Sequence, residues 1–264
     1  MNLPAPALFI GHGSPENALR DNEFTRSLQT LGKQLPKPKA ALIISAHWLT
    51  QDLAITTSPQ PGQVFDFSGF PQALYQVQYR PRSSSELIEA ILKLEPSARS
   101  MPLQGFDHGV WTVLKHLWPT ADVPLVQLSL DVGLDRQGHL LKGRYLSRLR
   151  DMGFMLIGSG NIVHNLRALD WRQTVDGFDW AKRYDLQVKT ALEREDMAFL
   201  GASRHQMDGD ARLSVPSEDH YWPLLYVAAS RRQDDHLRWI YEGYEYGGIS
   251  LRSFLLSADD SPRP

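Results

Sequence analysis

The sequence predicts an α/β fold with a single domain, in which helices cover both faces of a central mixed sheet. Short apolar segments alternate along the chain with longer amphipathic segments, as expected for buried strands covered by helices. The 264 residues are enough to bury one large core. No repeat, low-complexity tract or linker divides the chain, so we predict one domain over residues 1–264.

Four short apolar segments predict buried strands. Residues 7–11 and 40–46 each end in a small residue that a histidine follows. Residues 124–130 and 154–158 have the same apolar character. Residues 236–256 alternate apolar and polar positions, which predicts a closing hairpin.

Five segments with apolar residues at helical spacing predict the covering helices. The first is followed by Pro36 and Pro38, which end it, and the second begins with Ser83, a good N-cap residue. The five are residues 22–35, 83–94, 135–152, 180–200 and 221–229.

Composition excludes several classes of site. The formal net charge of -2 gives no electrostatic reason to expect nucleic acid or an anionic membrane as a partner. Without cysteine there is no disulfide, thiolate metal site or cysteine nucleophile, so any metal must have nitrogen and oxygen ligands. No signal peptide or membrane-length apolar run is recognisable, so we expect a cytoplasmic protein. No dinucleotide, phosphate-loop or nucleophile-elbow motif is present.

Three predicted strands are followed by a polar cluster that contains a histidine. His12 and His47 come directly after the first two strands, and His164 follows the strand at 154–158. Ligands of open α/β sheets bind beyond the carboxyl ends of the strands. A single histidine there is usually a structural hydrogen-bonding residue, but three at equivalent positions predict a shared site.

Two further segments have the character of a site. Residues 107–111 place His108 before an apolar helix, and residues 216–224 place His220 among acidic and aromatic residues. The structural alternatives are a helix-capping loop for His108 and a packed ring at an acidic helix N-terminus for His220. The remaining histidines are expected to be exposed and inert: His116, His139, His205 and His236.

Five motifs in a fixed order resemble a known family. They are His-Gly-Ser-Pro at 12–15, Ser-Ala-His-Trp at 45–48, Asp-His-Gly at 107–109, Gly-Ser-Gly-Asn-x-x-His-Asn-Leu at 158–166 and Asp-His-Tyr-x-Pro-Leu at 219–224. Together they resemble the class III extradiol ring-cleaving dioxygenases of the LigB superfamily, in particular the DOPA 4,5-dioxygenase branch. The likeness spans residues 7–256. It implies one catalytic domain that opens a catechol with O₂, with L-DOPA giving a muconate semialdehyde as the expected reaction.

The resemblance also implies roles for the histidines. His12, His47 and His220 correspond to metal ligands, and His164 corresponds to a further ligand or to the acid–base group. We expect the acid–base role, because four fixed ligands would fill the positions that catechol and O₂ need. His108 corresponds to a catalytic histidine that orients the substrate or O₂.

The metal and the reaction class leave alternatives open. Better-studied members hold Fe(II) with two histidines and a carboxylate, whereas the third position here is His220, flanked by Glu218 and Asp219. A histidine-rich set also suits zinc. We therefore expect one divalent metal, with zinc bound at rest and a requirement for Fe(II) in turnover left open. The alternatives are a zinc-dependent hydrolase, with His164 or Glu218 as base, and a non-catalytic protein that binds a metal or small molecule.

Other residues near the motifs have expected supporting roles. Asn165 and Asp107 are candidates to orient the catalytic rings. Arg80 and Arg82 are candidates to bind an amino-acid carboxylate, although exposed loop arginines usually remain solvated. Three aromatic residues are expected to pack rather than to wall the pocket: Trp48, Tyr221 and Trp222.

Overall fold

A computed structural model describes residues 3–173, 175–203 and 206–258. Ten strands lie in this part of the chain, and eight of them form one sheet. They are β1 (Ala7–Gly11), β2 (Ala41–Thr50), β3 (Ala54–Thr56), β4 (Arg99–Met101), β5 (Leu125–Asp131), β6 (Met155–Gly160), β7 (His236–Tyr241), β8 (Tyr244–Glu245), β9 (Ile249–Ser250) and β10 (Ser253–Ser257).

The main sheet is mixed, as predicted. Its strand order is β4-β3-β5-β2-β6-β1-β10-β7, and the four strands β5, β2, β6 and β1 are parallel. The last strand, β10, pairs antiparallel with both β1 and β7. Residues 236–256 therefore include the predicted antiparallel pair, but a separate two-stranded ribbon of β8 and β9 lies between its strands in sequence. The sheet thus brings the carboxyl ends of β1, β2 and β6 to one edge.

Helices cover both faces of this sheet. They are α1 (Glu23–Gln34), α2 (Ser85–Leu94), α3 (His108–Leu117), α4 (Arg136–Leu146), α5 (Arg148–Asp151), α6 (Asp179–Glu193), α7 (Met197–Leu200), α8 (Gly209–Ser214) and α9 (Trp222–Ala229). A short 3-10 helix, Pro15–Ala18, follows β1.

The core has two layers because alternate residues of a strand point to opposite faces. Leu8 and Ile10 of β1 pack in one hydrophobic cluster with residues of α1 and α3. Ala7 and Phe9 pack in the other cluster with residues of α2, α4, α6 and α9. The central strands are buried on both faces, which explains why their sequences are almost continuously apolar.

Two predicted helices are each divided in two. In the segment 135–152, α4 ends before Ser147 and the short helix α5 begins after it. The segment 180–200 is interrupted between α6 and α7 by Glu195, whose φ of 56° is incompatible with a continuing right-handed helix. Strands β3 and β4 were not predicted, because three residues are too few to show a periodic pattern. Among the described residues, no helix is both long and apolar enough to cross a membrane.

Candidate metal centre and active site

The carboxyl edge of the parallel strands brings together the segments that carry His12, His47 and His220. His12 follows β1 directly, and its backbone N–H donates to the carbonyl of Gly160 at the end of β6 (3.0 Å). His47 lies within β2 rather than after it, because that strand continues to Thr50. The pairing of β2 with β5 is irregular between Ile44 and Leu49, around this histidine.

His220 precedes α9 and is joined to the end of β6. Its carbonyl oxygen accepts the backbone N–H of Asn161 (2.8 Å). A Cβ atom at Gly160 would lie only 2.2 Å from the same oxygen, so this close approach requires glycine. Glycine at the last position of β6 is therefore needed for the two segments to meet.

The ligand nitrogens of His12, His47 and His220 all lie within 4.8 Å of one another. The Nε2 atoms of His12 and His47 are 3.1 Å apart, close to the spacing of two nitrogen ligands on one ion with bonds of about 2.1 Å. One other such group exists among the described residues, formed by His47, Asp66 and His108. The chain thus has a histidine cluster able to bind a metal ion.

Hydrogen bonds orient two of these rings so that Nε2 carries the lone pair. The Ser159 hydroxyl donates to the carbonyl of Gly109 (2.6 Å), so it accepts the Nδ1–H of His12 (3.0 Å). The Nδ1–H of His220 donates to the carboxylate of Asp219. The Nε2 of His220 is buried and has no hydrogen-bond partner among the described residues. An imidazole binds a metal ion through a nitrogen lone pair, and these hydrogen bonds leave that lone pair on Nε2 of His12 and His220. The residues therefore fit a metal ion.

The electrostatics favour neutral rings at His12 and His47. Burial, together with the neighbouring histidines, lowers the pKa of His12 and of His47 well below the usual value. Although burial opposes it, the hydrogen bond from His220 lowers the pKa of Asp219, which is therefore a carboxylate. Metal binding requires neutral imidazole, and burial favours that form at His12 and His47 before a metal binds.

His164 lies beside this group of three. Its backbone N–H donates to the carbonyl of Ser214 (2.9 Å), and it forms an isolated antiparallel bridge with Ile249. Its ring stacks on that of His220, with centroids 3.5 Å apart and planes 6° apart. Burial, followed by the proximity of His220, lowers the pKa of His164 well below the usual value. A neutral ring next to the cluster can accept a proton there.

His108 is the first residue of α3 and is held by a carboxylate that sequence reasoning missed. Asp66 Oδ2 lies 2.9 Å from His108 Nδ1, and Asp66 Oδ1 accepts the backbone N–H of His108 (3.0 Å). These bonds lower the pKa of Asp66 although its burial acts in the opposite direction. Asp66 lies in the connection between β3 and α2, where no strand-end or helical pattern marks it.

A cavity of about 570 Å³ is lined by all five histidines discussed above. This volume is typical of small-molecule sites. Much of the remaining wall is apolar and comes from the connection after β3, the segment after β6 and the β8–β9 region. The apolar lining residues are Phe67, Phe70, Pro71, Leu166, Leu169, Trp171, Tyr246 and Ile249.

The two residues expected to orient the rings have other hydrogen-bond partners. Asp107 accepts from the side chains of Ser45 (2.7 Å) and Gln127 and caps α3, and burial raises its pKa to about 6. Asn165 donates to the carbonyl of Leu213 (2.8 Å). The groups that contact the rings are instead Ser159, Asp219 and Asp66.

The prediction that the remaining histidines are exposed was wrong for two of them. His116 is buried and bonds the carbonyl of Asn17 (2.7 Å). His139 is buried, pairs with the hydroxyl of Tyr226 (3.2 Å) and packs on the ring of Trp222. Both histidines lie on helices, α3 and α4. Their charged neighbours in sequence do not determine which face of the helix is turned towards the core, so exposure could not be predicted from them. His236 is exposed, and His205 lies outside the described residues.

The other candidates lie away from the cavity. Trp48, Tyr221 and Trp222 do not line it, in agreement with a packing role. Arg80 and Arg82 are exposed and do not line it either.

Comparison with known proteins points to one family. Residues 4–251 match the family described as the catalytic LigB subunit of aromatic ring-opening dioxygenase. The chain is 40% identical to a protein named 4,5-DOPA dioxygenase extradiol from Escherichia coli K12, covering 94% of this chain and 93% of that one. It is 30% identical to a protein of the same name from Beta vulgaris, covering 95% and 96%. The crystal structure of an uncharacterized protein from Escherichia coli K12 matches with a TM-score of 0.83 and 36% identity, over 95% of this chain and 99% of that one.

Proposed function

The chain belongs to the family of catalytic LigB subunits of aromatic ring-opening dioxygenases, and we propose that it opens the ring of L-DOPA or a closely related catechol. Its reaction class is extradiol ring opening. The substrate proposal is supported by relatives whose names state 4,5-DOPA dioxygenase activity. Within the molecule, this proposal rests on the convergence of histidine nitrogens in the wall of a largely apolar cavity that is large enough for a catechol.

We propose that His12, His47 and His220 hold one divalent metal ion in this cavity. The oriented lone pairs of His12 and His220 support this assignment, and the all-nitrogen set is compatible with zinc as well as iron. When bound, Fe(II) would supply a redox-active centre through which electrons of the catechol reach O₂, with no net oxidation of the iron. Zinc in the resting protein and Fe(II) in turnover are therefore the proposed states.

The chain's own residues then bind the substrate and move protons. His164, neutral and next to the ligand group, accepts the proton from a catechol hydroxyl and returns it to oxygen later in the reaction. His108, held by Asp66, hydrogen bonds the second hydroxyl or oxygen. The apolar wall packs against the aromatic ring and excludes water from it.

The overall reaction adds both atoms of O₂ to the catechol. The ring carbon–carbon bond next to the diol breaks, one end becomes an aldehyde and the other a carboxylic acid. The expected product of L-DOPA is a yellow muconate semialdehyde. The reaction needs no further reductant, since the electrons come from the substrate.

The hydrolase alternative has no support. The matching family and the curated relatives cited above are named for dioxygenase activity. Glu218, its candidate base, pairs with Arg136 (2.7 Å) and lines a different cavity from the histidines.

The test is anaerobic reconstitution of metal-free protein with Fe(II) or with zinc, followed by catechols with and without O₂. We expect a yellow product only with Fe(II) and O₂, and two atoms of ¹⁸O from ¹⁸O₂ by mass spectrometry. His47→Ala is the matched inactive control and should bind less metal. A product that forms without O₂, or that carries no label, would overturn the proposal.

A further inference from the structure

One wall of the cavity contains a carboxylate and two aromatic rings. None of the three takes part in the proton transfers proposed for His164 and His108. Glu16, Trp171 and Tyr246 all line the cavity. The rings of Trp171 and Tyr246 are 5.2 Å apart. Glu16 belongs to the 3-10 helix Pro15–Ala18, which follows the segment that carries His12. This wall is therefore continuous with the segment that presents a proposed metal ligand.

A network of charged groups fixes the position of Glu16. Its Oε2 accepts hydrogen bonds from Arg20 (2.6 Å) and from the hydroxyl of Tyr246 (3.1 Å). Arg20 also donates to Oε1 of Glu245 (3.0 Å), a buried side chain whose Oε2 accepts the backbone N–H of Ser14 (2.6 Å). The carboxylate is thus tied to the same framework that holds the segment of His12.

Only one oxygen of Glu16 is used in this way. Its Oε1 accepts no hydrogen bond from any described residue, and the side chain is 29% exposed. An ion-paired carboxylate with one free oxygen at a cavity wall is an oriented acceptor for a donor on a ligand. The aromatic faces beside it attract cations in particular.

The charged residues that line the cavity also favour a positively charged ligand. Among the described residues that line the cavity, the carboxylates are Glu16 and Asp66, and there is no lysine or arginine. Asp66 is engaged with His108, which leaves Glu16 as the carboxylate with a free oxygen. Arg167 and Arg172 are neighbours of lining residues in sequence, but both are exposed and outside the lining.

We propose that Glu16, Trp171 and Tyr246 form a subsite for a protonated amine on the side chain of the substrate. This rests on the proposed function, because the catechol ring must occupy the histidine end of the same cavity. The ammonium group would donate to Oε1 of Glu16 and lie against the two rings. The substrate class is therefore a catechol whose side chain carries a primary ammonium group, with or without a carboxylate.

The test compares three catechols that differ in the charge of the side chain. Dopamine carries an ammonium, 4-methylcatechol is neutral and 3,4-dihydroxyphenylacetate carries a carboxylate. For the Fe(II)-loaded parent we expect kcat/KM for dopamine to exceed that for 4-methylcatechol by about tenfold, as for one charge-assisted hydrogen bond. In Glu16→Gln this ratio should fall to about one, whereas the control Glu89→Gln, an exposed carboxylate on α2, should keep it.

A binding measurement separates this inference from the proposed function. Tyramine has the ammonium tail but only one ring hydroxyl, and its affinity for zinc-loaded protein can be measured by calorimetry without turnover. Glu16→Gln should weaken tyramine binding about tenfold, and Trp171→Ala should also weaken it. If no catechol is opened, the proposed function fails, while the tyramine result still decides the subsite. An unchanged dopamine ratio in Glu16→Gln, or a preference for the carboxylate that Arg172→Ala abolishes, would overturn the subsite.

Discussion

Gly160→Ala should move His220 away from the other two histidines of the metal-binding group. The added Cβ would lie 2.2 Å from the carbonyl oxygen of His220, whereas ordinary contacts begin at 3.4 Å. The two segments must therefore separate by about 1 Å, because packed backbone has no side-chain rotation to relieve the clash. The hydrogen bond from Asn161 to the same carbonyl would stretch as well.

A displacement of this size is large compared with the tolerance of a metal site. The ligand nitrogens of the three histidines lie within 4.8 Å of one another, and a shift of about 1 Å is half of a metal–nitrogen bond. We expect metal affinity to fall by about 10- to 100-fold, as when a ligand-orienting group is lost. The overpacking should also lower the free energy of unfolding by about 1–3 kcal/mol.

Metal affinity can be measured by competition with a chelator, and folding by thermal unfolding of the metal-free protein. Gly209→Ala is the matched control, because a Cβ at that position would meet no atom within 4 Å. The control should match the parent in both measurements. A metal affinity of Gly160→Ala within about twofold of the parent would refute the argument that this close approach sets the position of His220.

Three further predictions concern proton transfer and stability. His164→Ala should keep most of the metal but lose about 10²–10⁴-fold in kcat, and normal ring cleavage would exclude the acid–base role. Asp235→Ala should lower the free energy of unfolding in urea by about 3–5 kcal/mol because it leaves Arg150 buried without its 2.6 Å partner, whereas Asp151→Ala at an exposed pair should cost less than about 1 kcal/mol. Burial lowers the pKa of His139 from 6.5 to about 4, so its neutral form stabilises the fold fully above pH 6.5 and this stabilisation is lost as the pH falls to 4. The parent should thus lose up to about 3 kcal/mol more than His139→Gln over that range, and parallel pH profiles of unfolding would contradict this.

The sequence predicted the features of the site that follow from local pattern. Continuous apolar strands required burial on both faces, and buried parallel strands bring their carboxyl ends to one edge. That rule singled out His12, His47 and His164 without knowledge of the pairing. The resemblance added the roles of His108 and His220, which no strand-end pattern marks.

Features that depend on tertiary contacts could not be predicted in this way. Asp66 contacts a backbone N–H 42 residues away, and nothing around it in sequence is periodic. Ser159 stood within a motif, but its role depends on a carbonyl of Gly109 in another element. The charged neighbours of His139 predict exposure, whereas its burial depends on which face α4 turns towards α9.

The position of β1 in the sheet has a consequence for biosynthesis. This first strand pairs with β6 and β10, and the loop after it is held by Glu245, 231 residues further along the chain. At about 5–20 residues per second, a ribosome would take about 10 to 50 s to add the residues that separate Ser14 from Glu245. Until β6 has been made, at Gly160, β1 has neither neighbour, and its entirely apolar or glycine sequence leaves unpaired backbone groups on both sides. Metal loading is therefore expected only after nearly the whole chain has been made, and the nascent N-terminal segment is the part that a chaperone would need to cover.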